Sequence, residues 1–403
     1  MISIAAIFKN EQPYILEWLA YHMALGIKDF YIADNGSSDG GSELLHNLDM
    51  INVITRIEHP TVDNVPPQLD AYSKIMSLVD KNKWVAFIDA DEFIFTNDFE
   101  SGLDKLLPIL NDDANGAISL SWAVFGSSYS ILPDNGLVIE RFTRRALEEH
   151  PVNKHYKSIV RIGDVLSVGK TPHAFQIKPN KRFIMPNGVL QEQVDGVSNY
   201  TDWTGIRLNH YVIKSKSEFF NKKSARGRAT TMKQSLGRNI NFFNNHDLND
   251  VHQSMPSWFL RKVKDILSEI IFKLEVNGFK TTSEYYSECL YRTSNKMGVG
   301  VVDTLVKEEG EIKLKGWAVD GDKLPLVDVV AVINNKHLIK PKCTKLYDRP
   351  DVKVAGISDE VKCGFISSVT LPDEPISFIH IYAINKSGLA CVEFNLSAHS
   401  AII

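Results

Sequence analysis

The stretch Trp84-Val85-Ala86-Phe87-Ile88-Asp89-Ala90-Asp91-Glu92-Phe93-Ile94-Phe95 limits what this chain can fold into more than any other. Its opening apolar run lacks helical spacing and predicts a strand buried on both faces. Asp89, Asp91 and Glu92 then end the run. Alternation along an extended chain sends Asp89 and Asp91 to one side and Ala90 to the other. Two carboxylates therefore converge at the carboxyl end of a strand, where open α/β sheets bind ligands. Like charges that close need a cation, and oxygen ligands with room for water and phosphate suit Mg²⁺ or Mn²⁺. A bare D-x-D is more often a solvated turn, so the surrounding sequence has to decide.

From residue 2 to residue 122, strand and helix patterns alternate. Residues 2–8 predict a strand. Ile15, Leu16, Leu19, Met23 and Leu25 follow at helical spacing, with Gly26 as the stop. A second strand, Phe30–Ala33, runs into the polar, glycine-rich turn Asp34-Asn35-Gly36-Ser37-Ser38-Asp39-Gly40-Gly41. A third strand is expected over 51–57, a helix over 69–79, the fourth strand over 84–88 and a further one over 116–123. Strands separated by helices imply a mostly parallel sheet with right-handed crossovers. The polar clusters at 9–12, 34–40 and 89–92 then share one edge of that sheet.

At 403 residues the chain exceeds what one core usually serves, and 44% apolar with 23% charged residues describes a folded, water-compatible protein. A net charge of −4 gives no electrostatic case for nucleic acid. The first eight residues have no basic region or small-residue cleavage site and are expected to form a strand rather than a leader. Cys289, Cys343, Cys363 and Cys391 lie far apart without a C-x-x-C pair, as expected of reduced thiols in a cytoplasmic protein. Residues 214–238 carry eight lysines and arginines against the single acid Glu218. An amphipathic helix is expected from about Trp258 to about Leu274, packing on the first domain. Contact with an anionic lipid surface is the other reading of that basic, aromatic stretch. After Asn295, period-two alternation and short turns indicate a β-sandwich. The expected division is 1–250, a helical extension at 251–300, and 301–403.

Several motifs together resemble glycosyltransferases of the GT-A fold, of the family 2 and family 92 type. They are Lys9-Asn10-Glu11, Glu17-Trp18, Tyr21-His22, Leu25-Gly26, the turn 34–40, Asp89-Ala90-Asp91-Glu92-Phe93, Trp122, Phe125-Gly126-Ser127-Ser128, Lys157-Ser158-Ile159-Val160-Arg161, His173-Ala174-Phe175, Asn209-His210-Tyr211 with Lys214-Ser215, and Lys223 with Arg226-Gly227. The resemblance implies a Rossmann-like catalytic domain and a metal-dependent, inverting transfer from a nucleotide sugar, with UDP expected. The acceptor is expected to be a glycan or glycolipid in surface polysaccharide assembly. Such an enzyme is expected in the cytoplasm, with peripheral contact at the inner face of the plasma membrane open.

By the same resemblance, Asn10, Glu11, Asp34 and Asn35 hold the nucleoside, though each is equally a loop or helix-start residue on its own. Asp91 binds the metal directly, Asp89 contacts the ribose or the metal through water, and His210 completes the metal shell or touches the diphosphate. Lys214, Lys223 and Arg226 face the diphosphate. Trp122 and Phe125 are candidates for a sugar-stacking wall. The general base that inversion needs is expected among Glu140, Asp134 and Glu92, with Glu140 preferred. Gly316-Trp317-Ala318 and Arg349-Pro350-Asp351-Val352 resemble accessory β-domains of bacterial polysaccharide transferases, with glycan binding, dimerisation and stabilisation all open. Two other readings compete: a nucleotidyltransferase, which would want a glycine-rich loop where Lys9-Asn10-Glu11 stands, and a glycan-binding protein whose D-x-D holds a structural cation. The oligomeric state is left open.

Overall fold

The computed structural model describes residues 2–192, 195–223, 238–279, 292–308, 310–334, 337–341 and 343–396. The chain forms two compact units. One comprises Met1–Gly126, Asn135–Lys214 and Lys222–Tyr285; the other comprises Ser127–Asp134, Ser215–Asn221 and Tyr286–Ile403.

The first unit is a curled α/β sheet. Its opening run is β1 (Ile2–Phe8), α1 (Gln12–Ala24), β2 (Phe30–Asp34), α2 (Gly41–Met50), β3 (Thr55–Glu58), α3 (Pro67–Leu78) and β4 (Trp84–Phe87). It continues through β5 (Glu92–Thr96), β6 (Asn115–Val124), α4 (Val138–Arg141), β7 (Tyr156–Arg161), β8 (Arg182–Ile184), β9 (Ile206–His210) and α5 (Ser257–Val276). The strand order is β3-β2-β1-β4-β7-β6-β9-β5, with β8 also beside β6. The β1, β2, β3 and β4 pairings are parallel, as strand-helix alternation predicts, and β6 pairs in parallel with β8 and β9. The pairings β4–β7, β6–β7 and β5–β9 are antiparallel.

Both faces of this sheet are covered, which is why its strands read as unbroken apolar runs. Ile2, Ile4, Ala6 and Phe8 of β1, with Trp84 and Ala86 of β4, join a core that includes α1, α2 and α5. Ala5, Val85 and Phe87 face the opposite core with Tyr72 and Ile75 of α3. Phe259, Val263, Ile270 and Leu274 are the buried stripe of α5, and the Phe259 ring meets Tyr21 edge-on at 5.3 Å. The third strand starts later than the sequence predicts. Residues 51–53 instead close the end of α2, where Asn52 takes a left-handed φ of 57° and Val53 N–H returns to the Leu48 carbonyl. Ile51 and Val53 pack on the core from that turn.

The second unit is a β-sandwich. One sheet joins Val299–Glu308, Glu311–Val319, Gly364–Thr370 and Cys343–Tyr347; the other joins His337–Ile339, Asp328–Ile333, Ile379–Ile384 and Ala390–Glu393. All pairings within them are antiparallel. Ile312, Leu314, Phe365, Val329, Ala331 and Ile381 share the core between the sheets. Two stretches that precede the sandwich in sequence by well over fifty residues are built into this unit. Ile131 and Leu132 pack on Val330, Val332, Tyr382 and Ile384, and Lys216 N–H and Ser217 N–H donate to the Ser130 and Ile131 carbonyls. Lys216 forms an ion pair with Glu393, which also bonds His380 at 2.9 Å.

Candidate active site

The acidic turn between β4 and β5 is held in place by α1. The Trp18 indole N–H donates to the carbonyls of Glu92 and Asp89, at 2.9 and 3.2 Å. The Tyr21 hydroxyl donates to the Ile94 carbonyl at 2.8 Å. His22 donates from Nδ1 to the Trp18 carbonyl and accepts at Nε2 from Ile94 N–H, at 2.8 and 3.2 Å. Burial drives its pKa down to about 3, so the neutral ring fills both roles. Glu17 accepts the Val138 and Ile139 N–H groups at 2.7 and 3.1 Å and so holds α4. Burial raises its carboxyl to about 7 despite those donors. The pattern Glu-Trp-x-x-Tyr-His is therefore a brace: Trp18, Tyr21 and His22 satisfy backbone groups at the D-x-D and β5, and Glu17 those of α4.

At the turn itself, two of the three carboxylates meet one buried ammonium. Ala86 of β4 lies opposite Ile159 of β7, and the same register extended by two residues brings Lys157 to the end of β4. Lys157 Nζ lies 2.9 Å from Asp89 Oδ1 and 3.9 Å from Glu92 Oε2, on a side chain only 1% exposed. Gln68 Nε2 donates to the same Asp89 oxygen at 2.6 Å. Burial pushes the Asp89 carboxyl up, but the Lys157 ammonium outweighs it and leaves the group below its ordinary range. Glu92 is fully buried. Burial, reinforced by the negative Asp89 and Asp91, holds it well above the carboxylate range, and its Oε2 accepts Asp89 N–H at 2.7 Å. Asp91 is 7% exposed, and its carbonyl accepts Tyr211 N–H at 2.8 Å. Pairing of β9 with β5 sets His210 opposite Glu92, and His210 Nε2 comes to 3.5 Å from Asp91 Oδ1.

Trp122 separates three imidazoles. His155 stacks on it at 5.0 Å and 19°, His173 meets it edge-on at 5.4 Å, and His210 lies tilted at 4.2 Å. Rings lie against this partly buried indole, which spaces the three imidazoles. His173 donates from Nδ1 to the Tyr156 carbonyl at 3.0 Å, and burial with the nearby Lys157 lowers its pKa to about 3. Phe125, the other half of the expected sugar-stacking wall, instead lies in the core, 1% exposed, with its ring centroid 4.7 Å from that of Tyr211.

The two turns expected to hold a nucleoside are bonded to each other. Asn10, at a left-handed φ of 54°, accepts Ser38 N–H at 2.8 Å, and Ser37 Oγ accepts Asn10 N–H at 2.9 Å. Asp34 Oδ1 accepts Ser42 Oγ–H at 2.8 Å and Gly36 N–H at 3.2 Å, while Oδ2 takes the Arg56 guanidinium at 2.7 and 3.1 Å. Both oxygens of Asp34 thus have donors within the protein. Asn35 donates to the His59 carbonyl at 2.8 Å and accepts from Thr61 at 3.1 Å. Glu11 is buried at the start of α1.

The remaining candidates scatter. Lys214 is buried, with a left-handed φ of 59° and its ammonium 4.2 Å from the Tyr14 ring centre. The Lys223 side chain and Arg226 lie outside the described residues. Glu140 accepts Leu137 N–H at 3.3 Å and pairs with Lys264 at 2.6 Å. Asp134 belongs to the second unit. Lys157, Gln68, Arg56 and His155 are site residues that the sequence reading did not single out as such. For Lys157 the signal is there: a lysine between Tyr156 and Ser158-Ile159-Val160 in a central strand needs a buried counter-charge.

Asp91 and His210 offer one carboxylate oxygen and one imidazole nitrogen, a donor pair that suits Mn²⁺. Among the described residues, no three His, Cys, Asp or Glu side chains group as a metal site. A hard cation that keeps water and phosphate oxygens needs no more protein ligands than such a pair, so the residues fit one.

Residues 1–240 match the glycosyltransferase family 92 profile. The chain belongs to glycosyltransferase family 92. It is 26% identical over 187 residues to a family 92 protein of Oryza sativa subsp. japonica, covering 45% of this chain and 31% of that one. With one of Ricinus communis the identity is 29% over 233 residues, covering 53% and 36%. The chain therefore spans about a third of the length of these curated relatives. Among solved structures, S. aureus TarS aligns over 98% of this chain and 77% of its own, at 10% identity and a TM-score of 0.29. A TarS fragment in complex with UDP-GlcNAc aligns over 43% and 50%, at 13% identity and a TM-score of 0.27.

Proposed function

We propose that this family 92 chain transfers a sugar, with inversion, from a nucleoside diphosphate, UDP being the expected nucleotide, to a hydroxyl of a glycan or glycolipid. The setting is surface polysaccharide assembly on the cytoplasmic side of a membrane. The observation that carries the reading is the Asp91–His210 pair at 3.5 Å, at the ends of adjacent strands and beside a carboxylate already neutralised by Lys157. Asp91 and His210 would hold Mn²⁺ or Mg²⁺, which as a Lewis acid stabilises charge on the departing diphosphate. The braced turns 9–12 and 34–42 form the nucleoside side of the same sheet edge, and Lys214 adds fixed positive charge.

Of the base candidates, Glu92 is closed off in the interior, so Glu140, with a side chain 27% exposed, keeps the role. Its ion pair with Lys264 has to open to release that oxygen. No helix among the described residues is long and apolar enough to cross a membrane. Trp258, 44% exposed beside Arg261 and Lys262, keeps peripheral lipid contact within the proposal.

Incubation with a panel of UDP-sugars and Mn²⁺, followed by assay of released UDP, tests this. Slow donor hydrolysis that disappears in Asp91→Ala and His210→Ala is expected. No UDP release from any donor, with or without added glycan, would overturn it.

A further inference from the structure

Arg56, Arg161 and Arg349 each meet an aspartate at 2.7 Å. Arg145 and Arg207 of the first unit instead converge on one another. Arg207 donates from Nε to Asn209 Oδ1 at 3.1 Å and from Nη2 to Gln253 Oε1 at 2.6 Å. Arg145 donates from Nε to that same Gln253 oxygen at 2.6 Å, and from Nη1 to the Ala146 carbonyl at 2.8 Å. Both guanidiniums lie over the Trp203 ring, 4.7 and 4.4 Å from its centre, and Arg207 also lies over Phe95 at 4.1 Å. Strand pairing sets this arrangement. Arg207 lies opposite Phe95 in the β9–β5 ladder, and the Trp203 indole N–H donates to the Trp122 carbonyl at 2.9 Å, which fixes the ring. Arg207 is only 4% exposed.

Two like charges thus share one amide oxygen and one indole, and among the described residues neither pairs with a carboxylate. Glu148 acts on both, but from an exposed position beyond ion-pair distance. Amide oxygens and rings satisfy some N–H groups without cancelling charge, and an enclosed charge lacking a counter-charge is costly. Burial first, and then the Arg145 charge, lower the Arg207 guanidinium to about 9, which leaves it protonated at neutral pH. Arg207 Nη1 and Arg145 Nη2 donate to no described residue, so each arginine keeps N–H groups for an anion. Guanidinium geometry matches carboxylate and phosphate oxygens. We propose that Arg145 and Arg207 form an oxyanion site, filled by the carboxylate of an acidic sugar or by a phosphate. It is distinct from the diphosphate end of the proposed donor site. Residues three apart on a strand leave opposite faces, so Arg207 points away from the side on which His210 approaches Asp91.

The test is calorimetric titration of the full chain with glucuronate and with inorganic phosphate, against glucose and sodium chloride at matched ionic strength. One or both oxyanions should bind wild type one to one, and the controls should not. Glucuronate alone assigns the site to an acidic sugar, phosphate alone to a phosphate, and both to the oxyanion they share. Arg207→Gln and Arg145→Gln should each weaken that binding about tenfold or more. Arg207→Lys, which keeps the charge and loses the planar fork, should weaken it as well. Saturating UDP with Mn²⁺ should leave the oxyanion affinity of wild type unchanged. Failure of both oxyanions to bind wild type, or equal binding by the folded glutamine variants, would overturn the proposal. Displacement by UDP would place the oxyanion in the donor site and overturn it too. If Arg207→Gln does not fold, Arg145→Gln decides, because its side chain is only half-buried.

Discussion

The two units bury charge in opposite ways. In the first, Glu17, Glu92, Lys157 and Asp91 all lie inside, around one edge of the sheet. Burial dominates there: Glu17 and Glu92 are held above the carboxylate range. In the second, the residues between the sheets are mainly apolar. One of its shifted carboxylates, Glu393, lies outside that core, where His380 and Lys216 overcome partial burial and draw its pKa down to about 2. The first arrangement sacrifices stability to place groups at a strand end, as binding sites do. The second ties a chain segment to a sheet. Lys216 follows His210 by six residues, so the segment leaving the candidate site is the one the sandwich holds.

Removal of the sandwich should have the largest effect. The sequence alone suggests that residues 1–300 form an independent unit. With 127–134 and 215–221 built into the other unit, truncation uncovers Ile131 and Leu132, forfeiting about 3–6 kcal/mol of apolar burial. That is a large part of the stability of an ordinary domain. The truncated chain should therefore be insoluble or melt far below wild type. A soluble fragment with an unchanged melting temperature would erase the contrast and make the sandwich a separable module.

Next comes the brace. Trp18→Phe keeps most of the ring but strips the Asp89 and Glu92 carbonyls of their donor, at about 1–3 kcal/mol. Thermal melting should show that loss, together with weaker UDP binding. Weaker melting with unchanged UDP affinity would mean that α1 supports the fold without setting the acidic turn.

The smallest effects are in pH dependence, and they should have opposite signs. Glu17 is raised from 4.5 to about 7, so its contribution is fully present below pH 4.5 and is lost as pH rises through about 7. Glu393 is lowered from 4.5 to about 2, so its contribution is present above pH 4.5 and is lost as pH falls toward 2. Melting temperature against pH should accordingly be flattened between pH 5 and 8 in Glu17→Gln and below pH 4.5 in Glu393→Gln. Identical slopes in both variants and wild type would remove the electrostatic distinction between the units.

What the sequence makes legible follows the same division. Strand-helix alternation, the strand ending at Asp89, the α5 stripe and the sandwich strands are all local patterns, and each has a counterpart in the fold. The D-x-D is legible because an apolar run ends abruptly in charge. The Glu17-Trp18, Tyr21-His22 pairs can be recognised as a motif, but their brace geometry cannot, because the backbone carbonyls and N–H groups they brace lie more than seventy residues away. Phe125 and Trp122 show the limit for aromatics: one is core and the other is partly buried with histidine rings against it, and composition does not separate either from a sugar platform. Capture of 127–134 and 215–221 by the second unit leaves no periodic trace at all.

The central claim is that the first unit's acidic edge is a cation-dependent nucleotide site built on Asp91. Calorimetric titration of UDP into wild type and Asp91→Asn, with and without Mn²⁺, addresses it most directly. Mn²⁺ should tighten UDP binding to wild type about tenfold or more and have no effect on the variant. Equal Mn²⁺ dependence in the two proteins, with the variant folded, would contradict the account.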